Sequence, residues 1–524
     1  MKKRISLVKG AMVLAVTGLI SKIIGALYRI PLNNFLTAEG MGMYQLIFSI
    51  YALLLALSSS GIPVAISRLV AERRAEGHSC KNVLKSASFI VIAFSLLISV
   101  LLIVFGDKIA NFQGNSKVEF GYAIIAPAIV FVGGISIFRG WFQGNYNIFP
   151  TAISQMVEQI VKLTLGLFLV YYLLPRGIIY SVYGALLGVT ISEVLTLFYM
   201  MICYFFNRKK YDTKVPDIDF KTTSRELVKI TLPIAIGGLI IPISQFIDSI
   251  MIVNLLKLNG LATSVATAEY GLFSGTVMSI VNMPIIITLS LAIVLVPIVS
   301  AGRVDRDLEG IIEKSATAIK LSYVIGLPSA LLMFVYARPI LVFLYPMLTS
   351  QNIETAVALL RLLSFTVIFQ SQMQIYNSLL QALDRTYAPV KNMLCGVFVK
   401  TVLAIILLKT IGINGAAVAT LALGITSTIL NVFTFNKLVG KNVKLVKNVS
   451  TILVSSVIMT LIALVMYYTL GGGIVSLLVG GLTSAVVYAL SLMLFKVFEK
   501  GELDGVPFIK YFERLSKKIR FWEN

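Results

Sequence analysis

Apolar residues fill the chain in long runs broken by short polar turns, from the N-terminal region to residue 497. A helix rises about 1.5 Å per residue and needs roughly 20 apolar residues to cross hydrocarbon. That criterion predicts fourteen spans, at 8–36, 42–70, 84–105, 119–145, 150–174, 178–206, 226–256, 268–300, 312–336, 354–383, 388–409, 413–437, 448–469 and 473–497. An even number returns both termini to one side. The apolar stretch behind Met1–Gly10 carries no small-residue cleavage site and reads as a retained first helix. Two stretches stand outside the pattern. Residues 207–225 are the most polar connection and read as a cytoplasmic linker between two halves. In the tail 505–524, Phe508, Phe512, Leu515, Ile519 and Trp522 recur at steps of four and three with Lys and Arg between them. That amphipathic stripe suits the inner membrane surface or docking on the protein's own loops.

Composition sharpens the class. Hydrophobic residues make up 57% of the 524 and charged ones 13%, against about 45–50% and about 25% in soluble domains. Mean hydropathy is +0.90. A net charge of +21 would suggest nucleic acid for a soluble protein. On the predicted topology, however, 33 of the 45 Lys and Arg lie on the side of the N-terminus, 6 on the opposite side and 6 within helices. This is the positive-inside pattern, with both termini cytoplasmic, and nucleic acid drops out as a partner. Cys80, Cys203 and Cys395 stand in no paired spacing and His78 is the single histidine. No disulfide framework, metal site or cofactor is expected, and an enzyme would have to work with carboxylates and lysines alone.

The two halves echo each other. Leu7-Val8-Lys9 with Gly18-Leu19-Ile20 recurs as Leu227-Val228-Lys229 with Gly238-Leu239-Ile240, a shift of 220 residues. Gln143 to Val161-Lys162 matches Gln381 to Val399-Lys400 at a shift of 238. The shared order suggests a duplicated six-helix unit, with the halves related by an axis along the membrane normal and a cavity between them. Shared apolar composition is the plainer explanation of each match. The expected organisation is an all-α polytopic membrane protein: an N-terminal lobe at 1–206, the linker, a C-terminal lobe at 226–437, helices 13 and 14 at 448–497, and the tail.

Charge inside the membrane is costly, at least about 2.5–3.5 kcal/mol on insertion scales, and marks function by default. Lys22 and Arg29 on the first helix lie two turns apart on the face of Gly18 and Gly25, and no acidic residue occurs between Met1 and Ala38. They form a cationic cavity wall, pair with another helix, or reach the interface. Glu158 and Lys162, four residues apart, read as an ion pair within one helix. Lys400 lacks such a partner on its own helix, so it faces the cavity, Glu193 or Asp248. Asp248 and Glu193 are the candidate counter-ions or coupling sites. The tenth helix carries Gln370, Gln372, Gln374, Asn377 and Gln381, which either line a cavity or bond neighbouring helices.

Ser21-Lys22-Ile23-Ile24-Gly25, Tyr28-Arg29-Ile30-Pro31-Leu32, Glu39-Gly40-Met41-Gly42-Met43-Tyr44 and Gly61-Ile62-Pro63-Val64-Ala65-Ile66-Ser67-Arg68-Leu69-Val70-Ala71-Glu72 resemble the stage V sporulation protein B and polysaccharide exporter group of the MOP superfamily. MurJ-type lipid II flippases and MATE multidrug exporters belong to the same superfamily. The resemblance covers residues 7–77 and implies two six-helix lobes around a cationic cavity, alternating access, and outward flipping of an undecaprenyl-pyrophosphate-linked peptidoglycan or polysaccharide precursor. It implies substrate contact at Lys22, Arg29 and Arg68, and a groove for the polyprenyl tail at helices 13 and 14. Lys22 replaces the usual Arg, and Ile30 stands where an acidic residue commonly follows, so lipid-linked glycans other than lipid II stay open. Expected partners are the lipid-linked glycan, membrane lipids, a coupling cation and cell-wall synthesis enzymes. A cation-coupled exporter of the MATE type is the alternative reading, resting on Asp248 and Glu193. A membrane glycosyltransferase would need a catalytic cluster on a sizeable loop, and the outer loops are short and poor in charge.

Overall fold

The structure, a computed structural model, describes residues 2–208, 217–440 and 446–498, with side chains for 16–208, 217–440 and 449–498. The tail 505–524 and residues 209–216 of the linker therefore lie outside the described residues. Every regular element among the described residues is a helix. Thirteen helical segments are long and apolar enough to cross a membrane. One of them, Val16–Ala75, runs for 60 residues, three times the roughly 20 that a crossing needs. It is two crossings joined at Thr37, whose φ of 57° and ψ of −176° interrupt the helix. Counting it twice brings the thirteen to fourteen, and this is a multi-pass membrane protein.

In chain order the spans are span 1 (2–36), span 2 (38–59 with Ile62–Ala75), span 3 (Lys81–Val104), span 4 (Ser116–Gly144), span 5 (Phe149–Arg176) and span 6 (Ile178–Asn207). Span 7 joins Phe220–Gly238 to Ile240–Leu258, and span 8 is Thr263–Val304. Then come span 9 (Leu308–Val335), span 10 (Ser350–Ala382), span 11 (Tyr387–Ile411), span 12 (Ile413–Val439), span 13 (Val449–Thr469) and span 14 (Ile474–Leu494).

Three local departures from plain helices matter. The expected turn at 37–41 contracts to Thr37 alone, because Ala38 to Met41 are helical at once, with Ala38, Gly40 and Met41 buried. A β-branched residue at positive φ is strained, so the flanking packing must hold it; Leu36 and Ala38 are both fully buried. Span 7, expected as one helix, breaks at Leu239. Pro242 has no N–H to give the Gly238 carbonyl four residues back, and the Gly237-Gly238 pair tolerates the break. Spans 5 and 8 carry π-helical turns at Lys162–Gly166 and Gly271–Val277.

The chain divides into two compact units. The first holds Met1–Met283, Tyr345–Ala356 and Lys400–Ala419; the second holds Pro284–Leu344, Val357–Val399 and Thr420–Asn524. In the first unit, helix Ile62–Ala75 beds on span 4 through Ile62, Ile66, Leu69, Val70, Trp141 and Phe142. Gly140 and Gly144 permit that approach: a Cβ on Gly140 would meet the Pro63 carbonyl at 2.9 Å, and one on Gly144 the Ser67 carbonyl at 2.7 Å. Lipid offers no hydrophobic drive between helices, so such close backbone contact supplies much of the association. Span 8 crosses span 2 in the same way, with Gly271 against the Ala38 carbonyl and Gly42 against that of Thr267. In the second unit, Leu327, Ile452, Leu492 and Val497 pack span 9 against spans 13 and 14. There Lys320 donates to the Val497 carbonyl at 3.1 Å.

Gly144→Leu is expected to lower the melting temperature of the detergent-purified protein by several degrees, since overpacking costs about 1–3 kcal/mol. Gly481→Leu, where a Cβ meets nothing within 4 Å, is expected to leave it unchanged. Fluorescence-detected thermal unfolding of the two variants checks this.

Candidate functional site

Span 1 presents its glycines and its cations differently. Gly25 lies against Gln159 of span 5, with the Gln159 Oε1 2.9 Å from where a Cβ would stand, and Gly18 lies 3.8 Å from Gln155 Oε1 by the same measure. Lys22 is exposed and Arg29 half-buried. Arg29 donates to the Ser279 hydroxyl of span 8 at 3.4 Å. One turn further on, Asn33 and Thr276 are hydrogen-bonded at 2.9 Å. Among the described residues neither Lys22 nor Arg29 has a carboxylate partner. The surrounding polar groups are only partly closed: Ser21 Oγ, Tyr28 Oη and Gln155 Oε1 are buried without a hydrogen-bond partner among the described residues.

The neighbouring charges behave in the opposite way. Glu158 and Lys162 form the ion pair expected within span 5, at 2.8 Å. Lys162 also reaches Glu193 of span 6 at 2.9 Å, and Arg139 of span 4 reaches Glu158 at 3.1 Å. Two cations and two carboxylates thus form a neutral buried network across spans 4, 5 and 6, and the Glu193 side chain is only 3% exposed. The π turn begins at Lys162 itself. Such a turn redirects the residues after it, and they pack closely: the Gly188 of span 6 meets Gly166 backbone to backbone.

Asp248 and Lys400 form a second buried pair, at 2.5 Å between spans 7 and 11, with Ser244 at 3.4 Å from the same ammonium. This resolves the three-way choice for Lys400 in favour of Asp248. Arg68 stands apart: it pairs with Glu72 at 2.8 Å on the same helix, and its side chain is 63% exposed. An exposed pair of that kind is weak and leaves Arg68 available to another anion. Two amides of span 10 bond neighbouring helices: Gln372 donates to the Ile319 carbonyl and, at 2.6 Å, to Ser322, and Asn377 accepts from Asn431 at 2.8 Å, while Gln374 Oε1 is buried without a hydrogen-bond partner among the described residues.

Of the six sequence-predicted residues, the structure sets Lys22 and Arg29 on one helix, puts Arg68 on the exposed face of the second helix of span 2, and ties Glu193, Asp248 and Lys400 into ion pairs. Sequence reasoning missed Arg139 of span 4 as a partner of Glu158, counting it only among the basic residues on the side of the N-terminus. Glu158 gave the available signal, because one carboxylate four residues from a lysine still has lone pairs for a second cation. It also missed Gln155 and Gln159, spaced four apart and facing span 1.

The chain matches the family described as Polysaccharide biosynthesis protein over residues 7–302. It is 29% identical to the Stage V sporulation protein B of Bacillus subtilis (strain 168), over 96% of this chain and 98% of that one. It is 24% identical to the Lipid II flippase MurJ of the same strain, over 89% of each chain. Among solved structures it resembles Lipid II flippase MurJ in an inward closed conformation, with a TM-score of 0.66 and 18% identity, over 93% of this chain and 99% of that one. A multidrug resistance MATE family transporter of the MOP superfamily, inward-facing, gives 0.67 and 15%, over 82% and 98%. The fold is therefore of the MATE and MurJ type.

Breaking one buried pair strands its partner, at a cost of about 3–5 kcal/mol, whereas removing both charges together is far milder. Lys400→Met alone is accordingly expected to destabilise the purified protein strongly, and Asp248→Leu/Lys400→Met to recover most of the loss. A thermal double-mutant cycle reads the coupling.

Proposed function

The chain belongs to the polysaccharide biosynthesis protein family, and from that premise we propose that it is a flippase carrying an undecaprenyl-pyrophosphate-linked peptidoglycan or polysaccharide precursor from the inner to the outer leaflet. One observation carries this reading. Arg139, Lys162 and Lys400 each have a carboxylate within 3.1 Å, while Lys22 and Arg29 have none among the described residues. Span 1 thus carries two cations without a protein counter-charge among the described residues. A pyrophosphate is the complementary ligand: it carries concentrated negative charge and many acceptor oxygens, and its hydrogen bonds to Lys and Arg strengthen as water is excluded. Two turns separate the two cations by about 10 Å along the helix, a gap their long side chains can close on one head group.

The partly unsatisfied lining of Ser21, Tyr28 and Gln155 supports a polar ligand beside this helix. Arg68, held only by an exposed pair, is assigned an earlier contact on the cytoplasmic side. Transport proceeds by alternating access of two six-helix lobes in the cell membrane, with both termini in the cytoplasm and no covalent chemistry. The likeness to a lipid II flippase over most of the chain supports the same direction of reading. The exporter reading leans on Glu193 and Asp248, and both carboxylates are held by lysines.

Complementation of cells depleted of their lipid II flippase tests the proposal, with outer-leaflet precursor assayed by an added polymerase. Wild type is expected to rescue and Lys22→Ala/Arg29→Ala to lose transport by at least about tenfold at equal membrane expression, with Lys22→Arg retaining it. Full rescue by the double variant would sink the assigned site.

A further inference from the structure

A separate cavity of 560 Å³ opens between span 3 and the first helix of span 7, lined by Ile90, Ser224, Arg225, Val228 and Lys229. Its chemistry follows from how helix Phe220–Gly238 divides its faces. Leu227 is buried in the core of helix Ile62–Ala75 and span 4, and Glu226 is drawn away to Arg73 at 2.5 Å. That leaves Ser224, Arg225, Val228 and Lys229, spaced one turn apart in pairs, on the face that looks into the cavity.

The described acids around it are committed elsewhere. Asp219 caps its own helix by accepting from the Lys221 and Thr222 amides, Asp217 accepts from the Asn82 amide of span 3, and Glu226 holds Arg73. Among the described residues Arg225 and Lys229 therefore have no ion-pair partner. Ser224 Oγ is buried and also lacks a hydrogen-bond partner among the described residues. Two uncompensated cations and one idle hydroxyl thus converge with two aliphatic side chains. The cavity lies where the polar segment before residue 230 gives way to the apolar run Ile230–Gly238, the level at which lipid head groups meet acyl chains.

We propose that this cavity binds the phosphate of an anionic phospholipid of the surrounding leaflet. Arg225 and Lys229 contact the phosphate, Ser224 Oγ donates to it, and Ile90 and Val228 lie along the upper acyl chain. The bound lipid would tie the first helix of span 7 to span 3. The site shares no residue with the one proposed on span 1, so either can fail alone.

Binding of phosphatidylglycerol to the full-length chain purified in neutral detergent tests it, read by native mass spectrometry, with phosphatidylcholine and glycerol phosphate as comparison ligands. Wild type is expected to prefer phosphatidylglycerol to both. Arg225→Gln/Lys229→Gln is expected to weaken it about tenfold, as two charge-assisted contacts are lost, and Ser224→Ala by a smaller factor. Lys108→Gln/Lys117→Gln, which removes the same charge elsewhere, is expected to bind as wild type. If the double variant is not monodisperse, Lys229→Gln makes the same comparison. Unchanged binding in the cavity variants would overturn the proposal, as would equal binding of phosphatidylcholine. Glycerol phosphate binding as tightly as the lipid would assign the site to a soluble phosphate and overturn the lipid assignment.

Discussion

A charge carried into hydrocarbon must be paired, wetted or withdrawn, and this constraint organises the molecule. Lys162 would be prohibitively placed on span 5 by itself; with Glu158 beside it and Glu193 across from it, the same lysine becomes a joint between helices. Arg139 completes the set so that no net charge remains. Lys400 and Asp248 repeat the solution between spans 7 and 11. Against that background the cations of span 1 stand out by their lack of a protein counter-charge, and the functional reading rests on the contrast.

Close packing provides the rigid bed that makes such placement meaningful. Where backbones touch through Gly140, Gly144, Gly166, Gly188 and Gly271, helices cannot slide without clashing, so polar side chains are held in fixed register. Span 1 meets span 5 through its glycines and span 8 through Arg29 and Asn33. Span 5 supports one side through Gln155 and Gln159, and span 8 supports the other through Ser279 and Thr276. The π turns at Lys162–Gly166 and Gly271–Val277 fall on these two supporting spans, as functional sites often have it.

Much of the fold was legible because hydropathy is a strong local signal in a chain that lives in lipid: all fourteen crossings correspond to apolar runs. The helix-internal details were not. A single strained residue at Thr37 replaces an expected turn, because burial of Leu36 and Ala38, rather than any breaker residue, decides the geometry. The split at Leu239 had a local cause in Gly238 and Pro242, yet prolines elsewhere in these helices leave them continuous, as Pro127 does. The candidate site was half legible. Missing acids near Lys22 and Arg29 could be read directly from the sequence, whereas the partners of Glu193 and Lys400 depend on which helices touch, and periodicity does not encode that. The tail and residues 209–216 of the linker, whose patterns were clear, lie outside the described residues.

The central claim is that span 1 recognises pyrophosphate by uncompensated positive charge. Its most direct test is equilibrium binding of undecaprenyl pyrophosphate and of uncharged undecaprenol to the purified chain and to its Lys22→Gln/Arg29→Gln variant. The account predicts a preference of at least about tenfold for the pyrophosphate in wild type that collapses in the variant. Equal affinity for both lipids, or a preference that survives the double substitution, would contradict it.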